Sequence, residues 1–222
     1  RFEYGQSRAD FPPDLPLSAA IRGDRCPDCC THFTVSCLFD FLVHAVAYSN
    51  KEELKGRYCD TTLENFLNSM HISCYSFTSV ARRAAAMMPK GGSMLTLSYI
   101  GSERVIPNYN VMGVAKAALE ASVRYLAGDF GANNIRVHGL SAGPMKTLAG
   151  SAIANARYTF RTAEQTAALN RSVTLEDIGN TAVYLLSDMS SGTSGEMHYV
   201  DAGFRCMGML PPGRIAAETD VE

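Results

Sequence analysis

The sequence has no apolar stretch as long as a membrane-spanning helix and no run of basic residues. A bilayer is crossed by about 20 consecutive apolar residues, and surfaces that bind nucleic acid concentrate lysine and arginine. Here 20 basic residues face 22 acidic ones, which gives a formal net charge of −2. The first residues also lack the charged-then-apolar pattern of a signal peptide. We therefore expect a cytoplasmic protein with no nucleic-acid partner and no membrane contact.

Residues 1–38 lack a recognisable pattern. The segment has no Gly-x-Gly sequence and no clear apolar period, so we expect coil, or out-of-frame or mis-spliced sequence joined near Leu38. Potential metal ligands are crowded there, namely Cys26, Cys29, Cys30, His32 and Cys37. Zinc is the less favoured alternative, because only one Cys-x2-Cys knuckle is present and its second half is missing. We expect no metal and, in a reducing cytoplasm, no disulfide.

The pair Tyr109 and Lys116 indicates acid-base chemistry. The two residues are seven apart in a predicted helix that starts at Pro107 and continues through good helix formers. Two helical turns return to nearly the same face, so the phenol and the ammonium can line one wall of a cleft. A nearby ammonium would stabilise the phenolate and lower the pKa of the tyrosine. The alternative is a half-buried tyrosine and a solvated lysine, since this spacing is common by chance.

The flanking sequence predicts a parallel crossover. A buried strand spans residues 91–98, the helix runs to about Phe130, and a second strand spans residues 135–140. Strand, helix and strand of these lengths form a right-handed unit whose ligands lie beyond the carboxyl ends of the strands. Tyr99 and the turn at Gly143 and Pro144 both follow such ends. We expect a site there.

Four further elements complete the predicted α/β fold. A strand is predicted at residues 39–47 and a long helix at 61–88, begun by a threonine cap. A helix at 174–186 has a capping box formed by Thr174 and Asp177, and a last strand spans 197–200. At 222 residues the chain is long enough for one such domain.

With these features in place, residues 39–209 resemble the NADH-dependent enoyl-acyl carrier protein reductases, a divergent branch of the short-chain dehydrogenases/reductases. Ordinary members of the superfamily have a serine upstream of the Tyr-x6-Lys pair, whereas here Tyr99 stands ten residues before Tyr109, as in the enoyl reductase branch. The similar segments are Leu95–Tyr99, Ile106–Gly113, Ala115–Ala117, Ser141–Pro144, Thr147–Ala149, Val173–Asn180 and Ser194–Glu196.

The resemblance implies a role for each site residue. The catalytic residues are Tyr99, Tyr109 and Lys116. The residues that contact NADH are Val46, Lys116, Met145, Lys146, Thr147, Leu148 and Ala149, and those that contact substrate are Ser49, Met112 and Ile153. For the apolar residues among them, core packing is the alternative. The implied partners are an acyl carrier protein bearing the enoyl thioester and three further copies of the chain in a homotetramer.

The chain also departs from the family pattern. A complete member opens with strand and helix units that hold the adenosine and pyrophosphate of the cofactor, and these are missing or replaced here. We therefore assign 1–38 to no domain, 39–212 to the C-terminal part of a short-chain dehydrogenase/reductase domain, and 213–222 to a tail. Ala47 and Ala202 stand where glycine is usual, the latter as a mild substitution. In the loop predicted after Thr147, residues 150–158, Ala156 replaces an aromatic residue, and only Arg157 retains a basic charge for the carrier protein.

Three functions remain open from the sequence. The favoured one, which the resemblance implies, is reduction of the 2,3 double bond of trans-2-enoyl-acyl carrier protein thioesters by NADH in fatty acid biosynthesis. A ketone or alcohol dehydrogenase is weaker, because Tyr99 replaces the usual serine. The third is a non-catalytic remnant that keeps the oligomer-forming helices at 61–88 and 107–130 without binding cofactor.

Overall fold

A parallel four-stranded sheet forms the centre of the described structure. The computed structural model describes residues 38–145, 147 and 156–209. The strands are β1 (Phe41–His44), β2 (Gly92–Ser98), β3 (Ile135–Ala142) and β4 (Met197–Val200), arranged in that order. All three neighbouring pairs are parallel, so the carboxyl ends of the strands meet at one edge of the sheet. The predicted Rossmann-like α/β fold is confirmed.

The first helical segment is shorter than the predicted 61–88 and contains a π-helical turn. It consists of α1 (Leu63–Met70), a π-helical turn (His71–Tyr75) and α2 (Ser76–Ala85). The cap is Thr62, whose side chain accepts from the Asn65 N–H. The strand predicted at 39–47 is only β1, because beyond His44 the chain leaves β2 to line a cavity.

The central helix α3 (Asn110–Phe130) begins later than predicted. Pro107 lies in a turn closed by the Tyr109 N–H, which donates to the Ile106 carbonyl at 3.2 Å. Asn108 has a φ of 60°, outside the range of a right-handed helix. Tyr109 is therefore the residue that precedes the helix and does not lie within it. At the other end the helix stops where predicted, in a short 3₁₀ turn at Gly131–Asn133.

Helices cover both faces of the sheet because side chains alternate along each strand. Met94 and Val137 pack into a core with α2 and α3, whereas Leu95 and Leu140 pack with Leu185 of helix α5 (Leu175–Leu186) on the other face. The capping box predicted for α5 is present, with the Asp177 N–H donating to Thr174 Oγ1 at 3.1 Å.

Helix α4 (Ala156–Thr166) was not predicted. It replaces the last three residues of the predicted loop at 150–158, and residues 150–155 lie outside the described residues. The prediction that Ala202 is a mild substitution for glycine is wrong. Its φ is 56°, a left-handed conformation that disfavours any residue with a Cβ.

Some sequence predictions concern parts of the chain that the structure does not describe. The candidate zinc ligands lie in residues 1–37, outside the described residues. The same segment is where we expect the family's first strand and helix units to be missing or replaced. No helix among the described residues has the length and apolar character to span a bilayer. The compact unit that contains the sheet begins at Phe39, and the division of the chain into domains stays a prediction.

Candidate active site

A cavity of about 750 Å³ opens at the carboxyl ends of β1, β2 and β3. Its walls come from the segment after β1, the end of β2, the start of α3, the segment after β3, and helices α4 and α5. Eight residues predicted for the site line this cavity: Val46, Ser49, Tyr99, Tyr109, Met112, Lys116, Met145 and Thr147. The other four, Lys146, Leu148, Ala149 and Ile153, lie outside the described residues. The structure thus brings the described candidates together, and their roles stay predictions.

The two tyrosines form an edge-to-face pair inside the cavity. Their ring centroids are 5.0 Å apart and the ring planes meet at 74°. The Tyr109 ring lies against Gly101, where an added Cβ would be 2.4 Å from Tyr109 Cδ1. Glycine is therefore needed at this position, in the 3₁₀ turn Ile100–Ser102 that follows Tyr99. This turn and the start of α3 together hold the two phenols side by side.

Burial raises the pKa of both phenols further above neutral pH, so both keep their protons. It raises the pKa of Tyr99 to about 12. It also raises the pKa of Tyr109, which is only 8% exposed, and the neighbouring Tyr99 and Glu120 add to the effect. Neither hydroxyl has a hydrogen-bond partner among the described residues. Both are thus free to donate to an oxygen atom of a bound molecule.

Lys116 does not act on Tyr109 as the sequence predicted. Its ammonium, on a residue that is 6% exposed, donates to the Leu97 carbonyl at 2.7 Å. Burial lowers the pKa of Lys116 to about 8, and the pKa of Tyr109 is raised where the prediction had it lowered. The reason is that desolvation, the largest effect on each group, disfavours both charged forms.

The nicotinamide half of a dinucleotide fits this site. An ammonium has three N–H donors, and Leu97 is the single acceptor for Lys116 among the described residues, so two donors remain for ribose hydroxyls. The apolar walls formed by Val46, Met112 and Met145 suit a flat aromatic ring. After β3, Gly143 allows the chain to approach Asp201 closely, since a Cβ there would be 2.8 Å from Asp201 Cα.

Glu120 is a buried carboxylate that sequence reasoning missed. It is 7% exposed, and its Oε1 accepts from Ser98 Oγ and Ser102 Oγ, both at 2.5 Å. These bonds join α3 to both sides of Tyr99. Glu120 also follows Lys116 by one helical turn, and this spacing was the signal available in the sequence.

A stripe of buried polar side chains on the helical segment α1–α2 was also missed. Asn65, Ser69 and Ser73 are spaced four residues apart and face the segment after β1. Asn65 Oδ1 accepts from the Asn50 N–H at 3.0 Å, and Ser73 Oγ accepts from the Tyr48 N–H at 2.9 Å. The stripe therefore fixes the backbone of one cavity wall.

Ser49 is held by the same stripe. Its hydroxyl donates to Asn65 Oδ1 at 3.3 Å and accepts from Ser69 Oγ at 3.0 Å. Although Ser49 lines the cavity as predicted, its hydroxyl is already engaged with the helix. The spacing of Asn65, Ser69 and Ser73 at helical intervals was the signal that could have revealed these partners.

Comparison with known proteins assigns the sequence to one family. The family model described as enoyl-(acyl carrier protein) reductase matches residues 37–205. The enoyl-[acyl-carrier-protein] reductase [NADH] FabI of Rickettsia typhi is 60% identical over 170 residues. That of Synechocystis is 50% identical over the same length. The aligned part is 77% of this chain and 65% of the Rickettsia protein, so the chain spans less than two thirds of that relative.

Solved structures that resemble this chain belong to the same family. The crystal structure of FabI from Candidatus Liberibacter asiaticus is 52% identical with a TM-score of 0.77, covering 78% of this chain and 67% of that one. The enoyl-(acyl-carrier-protein) reductase of Anaplasma phagocytophilum, in complex with NAD, is 53% identical with a TM-score of 0.75. The match covers 79% of this chain and 65% of that one. This chain belongs to the enoyl-(acyl carrier protein) reductase family.

Proposed function

We propose that the protein reduces the 2,3 double bond of trans-2-enoyl thioesters carried by acyl carrier protein, with NADH as the hydride donor. The observation that carries this proposal is the meeting of Tyr99, Tyr109 and Lys116 at one apolar cavity beyond the carboxyl ends of the strands. The activity is named for the relatives, and we propose it for this chain, whose aligned part covers 65% of the Rickettsia protein.

Tyr109 acts on the thioester oxygen. When hydride, which the bound NADH supplies, reaches the β-carbon of the enoyl group, negative charge develops on this oxygen. A neutral phenol in a dry site can donate a hydrogen bond to that oxygen and so stabilise the transition state. The raised pKa of Tyr109 keeps the proton on the phenol until charge appears on the substrate. Tyr99, whose ring is in contact with Tyr109, completes the wall beside the oxygen.

The remaining site residues bind and orient the cofactor and the acyl substrate. Lys116 offers its free N–H donors to the nicotinamide ribose, and Val46, Met145 and Thr147 contact the cofactor. For Lys146, Leu148 and Ala149, which lie outside the described residues, cofactor contact is proposed from the family resemblance alone. Ser49, Met112 and Ile153 line the acyl site; the support for the first two is that they line the cavity. The methyl group of Ala47, which also lines the cavity, narrows the space beside the nicotinamide.

We also propose a homotetrameric assembly and an acyl carrier protein as the protein partner. Exposed apolar side chains on the first helical segment support a homotetramer: Leu63 is 73% exposed, and Leu67 and Tyr75 are each 57% exposed. Exposed apolar side chains grouped on one element can mark a protein–protein interface, and we propose another copy of the chain as the partner. Arg157, exposed on α4, provides a charge for docking an acidic carrier protein. We propose a cytoplasmic location for this assembly.

A nucleotide titration followed by a turnover assay tests the function. We expect saturable NADH binding, seen as a change in nicotinamide fluorescence, and oxidation of NADH when crotonyl thioester is added. Y109F should lower kcat more than it weakens NADH binding, whereas K116A should weaken binding first. Y125F is the matched control, since Tyr125 lies on the same helix with 78% exposure. Absence of NADH binding by the folded protein would instead support the non-catalytic remnant.

A further inference from the structure

Asn110 follows Tyr109 directly and has an unusual backbone conformation. Its φ is 34° and that of Asn108 is 60°, while Tyr109 between them has a φ of −109°. Asparagine tolerates the left-handed region better than other residues that carry a Cβ. The chain therefore turns sharply on both sides of the tyrosine, at the point where α3 begins, and the direction of the phenol depends on this turn.

The side-chain amide of Asn110 reaches across to a separate part of the chain. Its Nδ2 donates to the main-chain carbonyls of Leu54 at 3.1 Å, Gly56 at 3.3 Å and Glu53 at 3.4 Å. An amide group has two N–H donors, so the three carbonyls share them. We call this set of bonds the amide clamp. It joins the start of α3 to the turn at residues 53–56.

The turn at residues 53–56 is itself fixed on its other side. The Glu53 carboxylate accepts from the Thr62 N–H at 2.9 Å and from Thr62 Oγ1 at 3.1 Å, so the turn is tied to the cap of α1. Leu54 is 8% exposed, lines the cavity, and packs in one apolar cluster with Tyr109 and Met112. The amide clamp therefore holds a rigid piece of cavity wall beside the phenol.

We infer that Asn110 is a positioning residue whose amide clamp sets the geometry between the Tyr109 phenol and the cavity wall at Leu54. The inference rests on the proposed function, because the position of the phenol affects turnover only if Tyr109 donates to the thioester oxygen. A displacement of about 1 Å in a reacting group can cost about 10²-fold in rate. Asn110 contacts no substrate itself and acts through Tyr109.

Two substitutions separate the backbone conformation from the amide clamp. N110G keeps the freedom to adopt a positive φ and removes only the amide, whereas N110A removes the amide and also disfavours the left-handed backbone. We expect kcat to fall about 10-fold in N110G and about 10²-fold in N110A, with NADH affinity unchanged in N110G. N134G is the matched control, because Asn134 is also left-handed, with a φ of 57°, but lies beyond the far end of α3.

A second measurement does not depend on turnover. The Tyr99 and Tyr109 rings are in edge-to-face contact, so each ring shifts the NMR resonances of the other. With ring-labelled tyrosine, and Y109F to assign the signal, we expect the Tyr109 resonance to move in N110G and to stay in place in N134G. If N110G matches the wild type in kcat and in this resonance, the inference is wrong. If the wild type shows no turnover, the proposed function fails, and the resonance alone decides the role of Asn110.

Discussion

Replacement of Lys116 by methionine should make the cofactor-free protein more stable. Lys116 is 6% exposed, and burial lowers its pKa from 10.5 to about 8. The folded protein therefore holds a charge that it disfavours, in a place where the proposed function needs that charge for the ribose. Methionine has a similar length and no charge, so K116M removes the cost along with the function.

The magnitude follows from the pKa. A tenfold change in proton affinity corresponds to about 1.4 kcal/mol, so a fall to about 8 means that the charged side chain costs about 3 kcal/mol at neutral pH. K116M also loses the bond from Lys116 Nζ to the Leu97 carbonyl. A buried acceptor left without a partner costs about 1–3 kcal/mol, but Leu97 lines the cavity, where water can replace the ammonium. We expect a net gain of about 1–3 kcal/mol.

The pH dependence gives this prediction a distinctive sign. Below pH 8, lysine is protonated in both the folded and the unfolded wild type, and the full difference from K116M is present. Between pH 8 and 10.5 the unfolded lysine still binds a proton that the folded protein has lost, so the wild type becomes more stable as the pH rises. The advantage of K116M should therefore shrink by about 3 kcal/mol over this range, so that it disappears or reverses by pH 10.5.

Urea denaturation of both proteins without nucleotide, at a series of pH values from 7 to about 10.5, measures the effect. K90M is the control, because Lys90 is exposed in the turn before β2 and should change stability little. NADH titration of the same samples should show that K116M has lost affinity. If K116M is less stable than the wild type at pH 7, or if the difference between them stays constant as the pH rises, the reasoning from burial is refuted.

Three further predictions concern other parts of the molecule. G101A places a Cβ 2.4 Å from Tyr109 Cδ1; since carbon atoms normally approach to about 3.5–4.0 Å, the ring must move by about 1 Å, and kcat should fall about 10²-fold. In the control G128A the new Cβ meets no atom within 4 Å, and steady-state kinetics should show it unchanged. A202G should raise the free energy of unfolding by about 0.5–1 kcal/mol in urea titrations, because relief of the left-handed strain exceeds the loss of a buried methyl group; a less stable variant would contradict this. His138 is fully buried, and its pKa is lowered to about 4 by burial and, to a smaller extent, by Arg136 and His198. The wild type should therefore lose up to about 3 kcal/mol of stability between pH 6.5 and 4, as the unfolded histidine gains a proton. H138N should lose less in urea titrations over this range, and an equal slope in the two proteins would refute the contribution of His138.

Local sequence predicted the elements whose formation depends on nearby residues. The capping box of α5 is formed by residues three positions apart. The strands β2, β3 and β4 coincide with short apolar runs bounded by turn residues. The end of α3 at Phe130 is marked by glycine and asparagine. Its start was misplaced, because Pro107 is acceptable in a first helical turn. The positive φ angles of Asn108 and Asn110 delay the helix, and the Asn110 side chain is held by carbonyls of a separate part of the chain.

By itself, the sequence determined which residues meet at the site. Parallel strands bring Tyr99 and the Gly143 turn to one edge, and helical spacing adds Tyr109 and Lys116, whatever surrounds them. Only the tertiary structure decided their chemical state. Burial depends on elements far apart in the chain, and it raises the pKa of both phenols and lowers that of Lys116, whose ammonium donates to the Leu97 carbonyl. Spacing therefore gives the composition of the site, whereas desolvation and hydrogen bonds between distant segments set its protonation and geometry.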